Sequence, residues 1–141
     1  MSYLLDTNVV SETVRREPDV SVIHWLEQVP NEALYVSVLT LGEIRKGCER
    51  LPDKKRRERL CVWLEHELPA WFEGRLLAID LAVADRWGRL LASVGRPVPS
   101  IDSLLAATAL HHGLRLATRN VADFAYPELE VVNPWESSAI R

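Results

Sequence analysis

Two hydrophobic patterns alternate along the chain: short continuous apolar runs, and stretches whose apolar residues recur every three or four positions. The first fits buried strands and the second amphipathic helices. Tyr3-Leu4-Leu5 opens the chain as a strand, followed by helices over 7–14 and, around Trp25 and Leu26, over 20–29. Leu34-Tyr35-Val36-Ser37 is rich in strand formers and leads into a helix over 38–49. A long helix is expected over 53–71, starting in a charged stretch and ending near Pro69. A third strand covers 76–79. A helix over 81–94 then places Val83, Trp87, Leu90, Leu91 and Val94 on one stripe.

Pro97 and Pro99 oppose both helix and ladder pairing, so 95–99 is a loop. Ser100 then stands where an N-cap belongs, for a helix that runs to His112 and stops at Gly113. Residues 114–118 form a fourth strand and 130–132 a fifth. Strands alternating with helices predict an α/β domain with a short parallel sheet covered on both faces. In such sheets ligands sit at the carboxyl ends of the strands.

Length and composition narrow the class. A chain of 141 residues fits one folded core without disulfides or a structural metal. Hydrophobic content of 48% and charged content of 26% exclude a disordered or collagen-like chain. Cys48 and Cys61 have neither disulfide-framework nor zinc-site spacing and read as small buried hydrophobes. Residues 1–10 lack a basic region and are cut by Asp6, unlike a signal peptide, and no apolar run is long enough to span a membrane. A cytoplasmic protein is expected.

Strand ends are therefore where chemistry is to be sought. Asp6 directly follows the first strand, Glu43 lies in the helix leaving the second, Asp102 opens the helix before the fourth, and Asp123 lies just past the fourth. A parallel sheet can bring all four acids to one edge. Glu43 shares its helical stripe with Thr40 and Gly47, and Asp102 shares its stripe with Ala106, Ala109 and Gly113. Small neighbours suit an acid held in a cleft. Clustered carboxylates repel unless protonated or neutralised, and a hydrated Mg²⁺ or Mn²⁺ is the economical partner. Such an ion activates water and stabilises charge on a phosphate. Thr7, Asn8, Thr118 and Asn120 are placed to orient carboxylates, water or substrate. Each acid also has an ordinary reading: Asp6 or Thr7 as a helix cap, Asp102 as a favourable first-turn charge, Glu43 as a solvated helix acid, Asp123 as a loop acid.

The motifs carrying these acids resemble a known family. Leu4-Leu5-Asp6-Thr7-Asn8-Val9, Ser37 to Ile44 with Gly42-Glu43, Ile101-Asp102-Ser103-Leu104-Leu105, Leu116 to Phe124 and Val132-Asn133-Pro134-Trp135 follow one another as in PIN domains. Their order is similar to that of the VapC toxins, and within these to the FitB-like branch. The resemblance implies a three-layer α/β/α PIN domain over 1–135 with a short tail at 136–141. It implies a Mg²⁺-dependent endoribonuclease, with Mn²⁺ as a substitute, that is the toxin of a type II toxin–antitoxin pair. It also implies a homodimer that joins a cognate VapB-like antitoxin in a larger hetero-oligomer. The family's acids fall on Asp6, Glu43 and Asp102. Many PIN domains have Asp where this chain has Asn120. The FitB-like branch resembles this chain in having Asn there and Asp three residues later, so the fourth role passes to Asp123. Asp6 and Asp102 are the foremost metal ligands, with Glu43 and Asp123 beside them.

Other readings compete. A haloacid-dehalogenase-like phosphatase would use Asp6 as nucleophile but wants an acid where Asn8 stands. A non-catalytic module would bind RNA or antitoxin without cutting. A metal-independent ribonuclease would use His24, His66 or His111, although His111 and His112 fall at a helix C-terminus that simply favours cations. Trp25, Trp63, Trp71 and Trp87 fall at core-like positions. The net charge of −3 opposes a nonspecific nucleic-acid coat. It is unevenly spread: residues 45–59 hold eight Lys/Arg against three Asp/Glu, a net of +5 that leaves −8 elsewhere. That window is either a solvated helix start or an RNA-steering strip beside Glu43.

Overall fold

The computed structural model describes residues 1–136; the expected tail lies outside them apart from Glu136. Five parallel strands form one sheet in the order β3-β2-β1-β4-β5. They are β1 (Tyr3–Leu5), β2 (Leu34–Ser37), β3 (Leu76–Leu77), β4 (Arg115–Ala117) and β5 (Val131–Val132). The helices are α1 (Thr7–Glu12), α2 (Val20–Gln28), α3 (Val38–Glu49), α4 (Lys54–Val62), α5 (Leu68–Trp71), α6 (Leu81–Val94) and α7 (Ser100–His112).

Alternation along the strands builds the layers. Leu5, Leu34, Val36 and Ala117 enter one apolar core with Val9, Val22, Trp25, Ile44, Leu64, Leu68 and Phe72. Leu4 and Leu116 enter the other, with Leu90, Leu105, Ala106, Phe124 and Tyr126. Neighbouring strand residues thus face opposite layers, as a period of two requires. The result is the expected α/β/α sandwich, with α6 and α7 on one face and α1 to α5 on the other.

Several expected elements differ in detail. The long helix over 53–71 is interrupted: α4 passes into a π turn, Trp63–Glu67, before α5. Pro69 has no N–H for the carbonyl four residues back, and the preceding turn bonds five residues back, Leu68 N–H to the Trp63 carbonyl. Ser100 is not the N-cap of α7. Pro99 holds that position with extended backbone (φ −60°, ψ 136°), Ser100 begins the helix, and no side chain caps it. Helix α1 and strands β3, β4 and β5 are shorter than their apolar runs. Cys48 is fully buried as expected, but Cys61 is only half-buried. Of the four tryptophans expected at core-like positions, Trp25 is buried, while Trp63, Trp71 and Trp87 pack at core margins. Among the described residues no helix is long and apolar enough to cross a membrane.

Candidate active site

The site begins with strand register. Leu5 pairs with Ala117, so the next residues, Asp6 and Thr118, leave β1 and β4 side by side at the sheet's carboxyl edge. Asp6 N–H extends the ladder by donating to the Ala117 carbonyl at 2.9 Å. The two readings of Asp6 prove compatible. Its Oδ1 accepts from Thr7 N–H at 2.7 Å and caps α1, while its Oδ2 accepts from the Thr118 hydroxyl at 2.7 Å. Asp6 is 7% exposed, so this carboxylate is fixed at both oxygens below the surface.

Thr118 is the hub. Its hydroxyl donates to Asp6 and accepts from Asn120 N–H at 3.0 Å and from the Asn8 amide at 3.4 Å. That is the full capacity of a hydroxyl. Asn8 Oδ1 in turn accepts from Arg119 N–H at 3.4 Å. Thr7 donates its hydroxyl to Glu43 Oε1 at 2.6 Å and lies 3.4 Å from the buried Thr40 hydroxyl. All four residues expected to orient the site are therefore engaged around it, Asn120 through its backbone.

The acids feel one another. Burial is the main cause raising the Asp6 carboxyl above its ordinary 3.8, and the charges of Glu43 and Asp123 add to it against the hydrogen bonds from Thr118 and Thr7. Asp102, half-buried in the first turn of α7, is also raised, first by desolvation and then by Asp6, Asp123 and Glu43. Four acids from four separate segments thus share one electrostatic site, and among the described residues none forms an ion pair.

Their donors are hard oxygens, and Glu43 and Asp123 are exposed. Among the described residues no three of the His, Cys, Asp and Glu side chains stand close enough to form a closed metal cage. That donor set fits a hydrated Mg²⁺ or Mn²⁺ bound through one or two carboxylates and water, rather than a dehydrated ion.

Sequence reasoning missed Tyr126. It is 6% exposed, and its hydroxyl is raised by burial and then by the Asp102 charge, so it stands in the field of the site. Only chain folding through Val121–Phe124 brings it there. The histidines lie elsewhere. His111 and His112 end α7, about 15 Å along the helix from Asp102, and His24 and His66 are exposed on other elements. The basic window divides. Arg56 and Arg59 line a cleft of about 930 Å³ that reaches Thr7 and Glu43. Arg45 instead pairs with Glu65 at 3.2 Å, and Arg57 donates to the Leu51 carbonyl at 2.8 Å.

Comparison with known proteins identifies the family. The PIN domain family model matches residues 3–126. A relative from Sinorhizobium fredii, described as VapC ribonuclease Y4jK, is 38% identical over 94% of this chain and 97% of its own length. The toxin FitB of Neisseria gonorrhoeae is 36% identical over 94% and 97%. Among solved structures, FitAcB from Neisseria gonorrhoeae superposes with a TM-score of 0.88 at 35% identity, covering 95% of this chain and 99% of that one. A DNA-bound VapBC from Salmonella typhimurium superposes with a TM-score of 0.79 at 25% identity, covering 95% and 98%. The chain belongs to the PIN domain family.

Proposed function

We propose that this protein is an endoribonuclease and the toxin of a type II toxin–antitoxin pair, hydrolysing RNA phosphodiester bonds with a divalent cation. The observation that carries the reading is the convergence of Asp6, Glu43, Asp102 and Asp123 at the carboxyl edge of the parallel sheet with no basic partner among the described residues. Its similarity to a VapC ribonuclease and to the toxin FitB supports the activity and the biological role.

Asp6 and Asp102 are the foremost groups to hold the ion, with Glu43 and Asp123 beside them and Mg²⁺ the expected metal. When bound, the ion supplies charge neutralisation and Lewis acidity at a phosphate. The protein's part is positioning. Thr118 and Thr7 N–H fix both oxygens of Asp6, and the Thr7 hydroxyl holds Glu43 toward it. Asn8 braces Thr118 against the Arg119 backbone, so the β1 and β4 ends cannot separate without breaking the set. The partner is a VapB-like antitoxin, a reading supported by the likeness to VapBC and FitAcB structures. A homodimer and a cytoplasmic location complete the proposal.

The test is to map RNA ends in cells after induction of the wild type and of Asp102→Asn. New 5′ and 3′ ends with the wild type alone are expected. Identical end maps would overturn the reading, and RNA bound but uncut in Mg²⁺ or Mn²⁺ would make the chain a binding module.

A further inference from the structure

The cleft that meets the acids at Glu43 has two walls of different origin. One is α4, where Arg56 and Arg59 stand three residues apart and so share a face. The other is the segment after α1, which contributes Arg15 and Arg16. Helix α3 forms the floor, with Glu43 at the acidic end and Gly47 one turn on, where an added Cβ would meet no atom within 4 Å.

Three of the four arginine charges here are unspent. Arg15 pairs with the buried Glu12 at 3.2 Å. Among the described residues Arg16, Arg56 and Arg59 have no carboxylate within 4 Å. Other basic groups of the same region are used internally: Arg45 by Glu65 and Arg57 by the Leu51 carbonyl. Unpaired guanidinium groups lining one open cleft suit the planar, bidentate geometry of phosphate oxygens. The cleft leads directly to Thr7 and Glu43.

We propose that this cleft holds the RNA strand on one side of the scissile phosphate, with Arg16, Arg56 and Arg59 gripping backbone phosphates as positioning residues. The proposal rests on the ribonuclease reading and adds where the strand runs. It also explains how a chain of net charge −3 holds a polyanion: cation density is concentrated in the cleft that the substrate meets.

The test compares the full-length wild type with the double variant Arg56→Gln/Arg59→Gln. Arg89→Gln, on α6 across the sheet, serves as the control because its charge is already paired with Asp85. A fluorescent single-stranded RNA of mixed sequence is titrated in EDTA over a salt series, and its cleavage is timed in Mg²⁺. The double variant should raise KM roughly tenfold with kcat held within about twofold. It should also flatten the log–log salt slope of binding by about 0.7 per guanidinium removed. Arg89→Gln should leave both unchanged. Unaltered KM and slope in the double variant, with the wild type still cutting, would overturn the cleft and leave the nuclease reading standing. Loss of antitoxin binding with RNA binding intact would also overturn it and assign the cleft to the protein partner. A wild type that binds RNA with the arginine-dependent slope yet never cuts would support the cleft and overturn the nuclease.

Discussion

At the scale of single residues, Asp102 shows most clearly what the site costs the fold. Its side chain makes no hydrogen bond among the described residues, is desolvated, and feels three like charges. Its folded-state pKa is raised above the ordinary 3.8. An acid of this kind binds its proton more tightly when folded. Its stabilising contribution is therefore present below 3.8 and is lost as pH rises through the raised value. Asp102→Asn removes that repulsion and should raise the melting temperature in EDTA at neutral pH by about 3 °C. Mg²⁺ should raise the wild-type melting temperature more than that of the variant, because a ligand stabilises the state it binds. Thermal melts with EDTA and with Mg²⁺ check both; a variant less stable than wild type in EDTA would contradict the repulsion. Asp6→Asn is a poorer probe, since Asp6 also caps α1 and accepts from Thr118.

At the scale of elements, the strand ends decide the site, and one arginine decides where β2 begins. The Arg75 guanidinium donates to the carbonyls of Leu34, at 2.6 Å, and of Asn31 and Trp71, while stacking on the Phe72 ring. It ties the end of α5 to the start of β2, the strand that follows β1 in the chain and pairs with it in the sheet. Arg75→Ala leaves three carbonyls short of a charged donor and should cost about 2–4 kcal/mol in denaturant unfolding. Lysine, a point charge without the fork, should recover only part of it.

The elements themselves were legible because their apolar periods are clean: Leu4 and Leu5 point to opposite cores as the run Tyr3-Leu4-Leu5 implied. What was not legible is local hydrogen-bond register. Nothing in the apolar pattern over 53–71 separates a π turn from continuous helix, since both bury Leu64 and Leu68. Ser100 carries a cap's chemistry, yet the Pro99 backbone takes the cap position.

At the scale of the whole molecule, charge is the property that structure reinterprets. The positive window over 45–59 looked like one strip, but its members divide between internal bonds and the cleft, and Arg15 and Arg16 join from outside the window. Helical phase could have singled out Arg56 and Arg59; only the tertiary fold could add the segment after α1. The acid constellation was legible because each member follows a recognisable strand or helix start. The hub role of Thr118 and the nearness of Tyr126 were not, since both depend on which strands are neighbours.

The central claim is that RNA cleavage requires a divalent cation bound among these carboxylates, foremost by Asp6 and Asp102. Its most direct test is the cleavage rate of the purified protein as Mg²⁺ is removed with EDTA and then restored, for the wild type and Asp102→Asn. The account predicts no cleavage in EDTA, full recovery on restoring Mg²⁺, and a loss in Asp102→Asn of more than about a hundredfold, beyond what a merely orienting partner costs. Full activity in excess EDTA, or an Asp102→Asn protein that cuts at the wild-type rate, would contradict it.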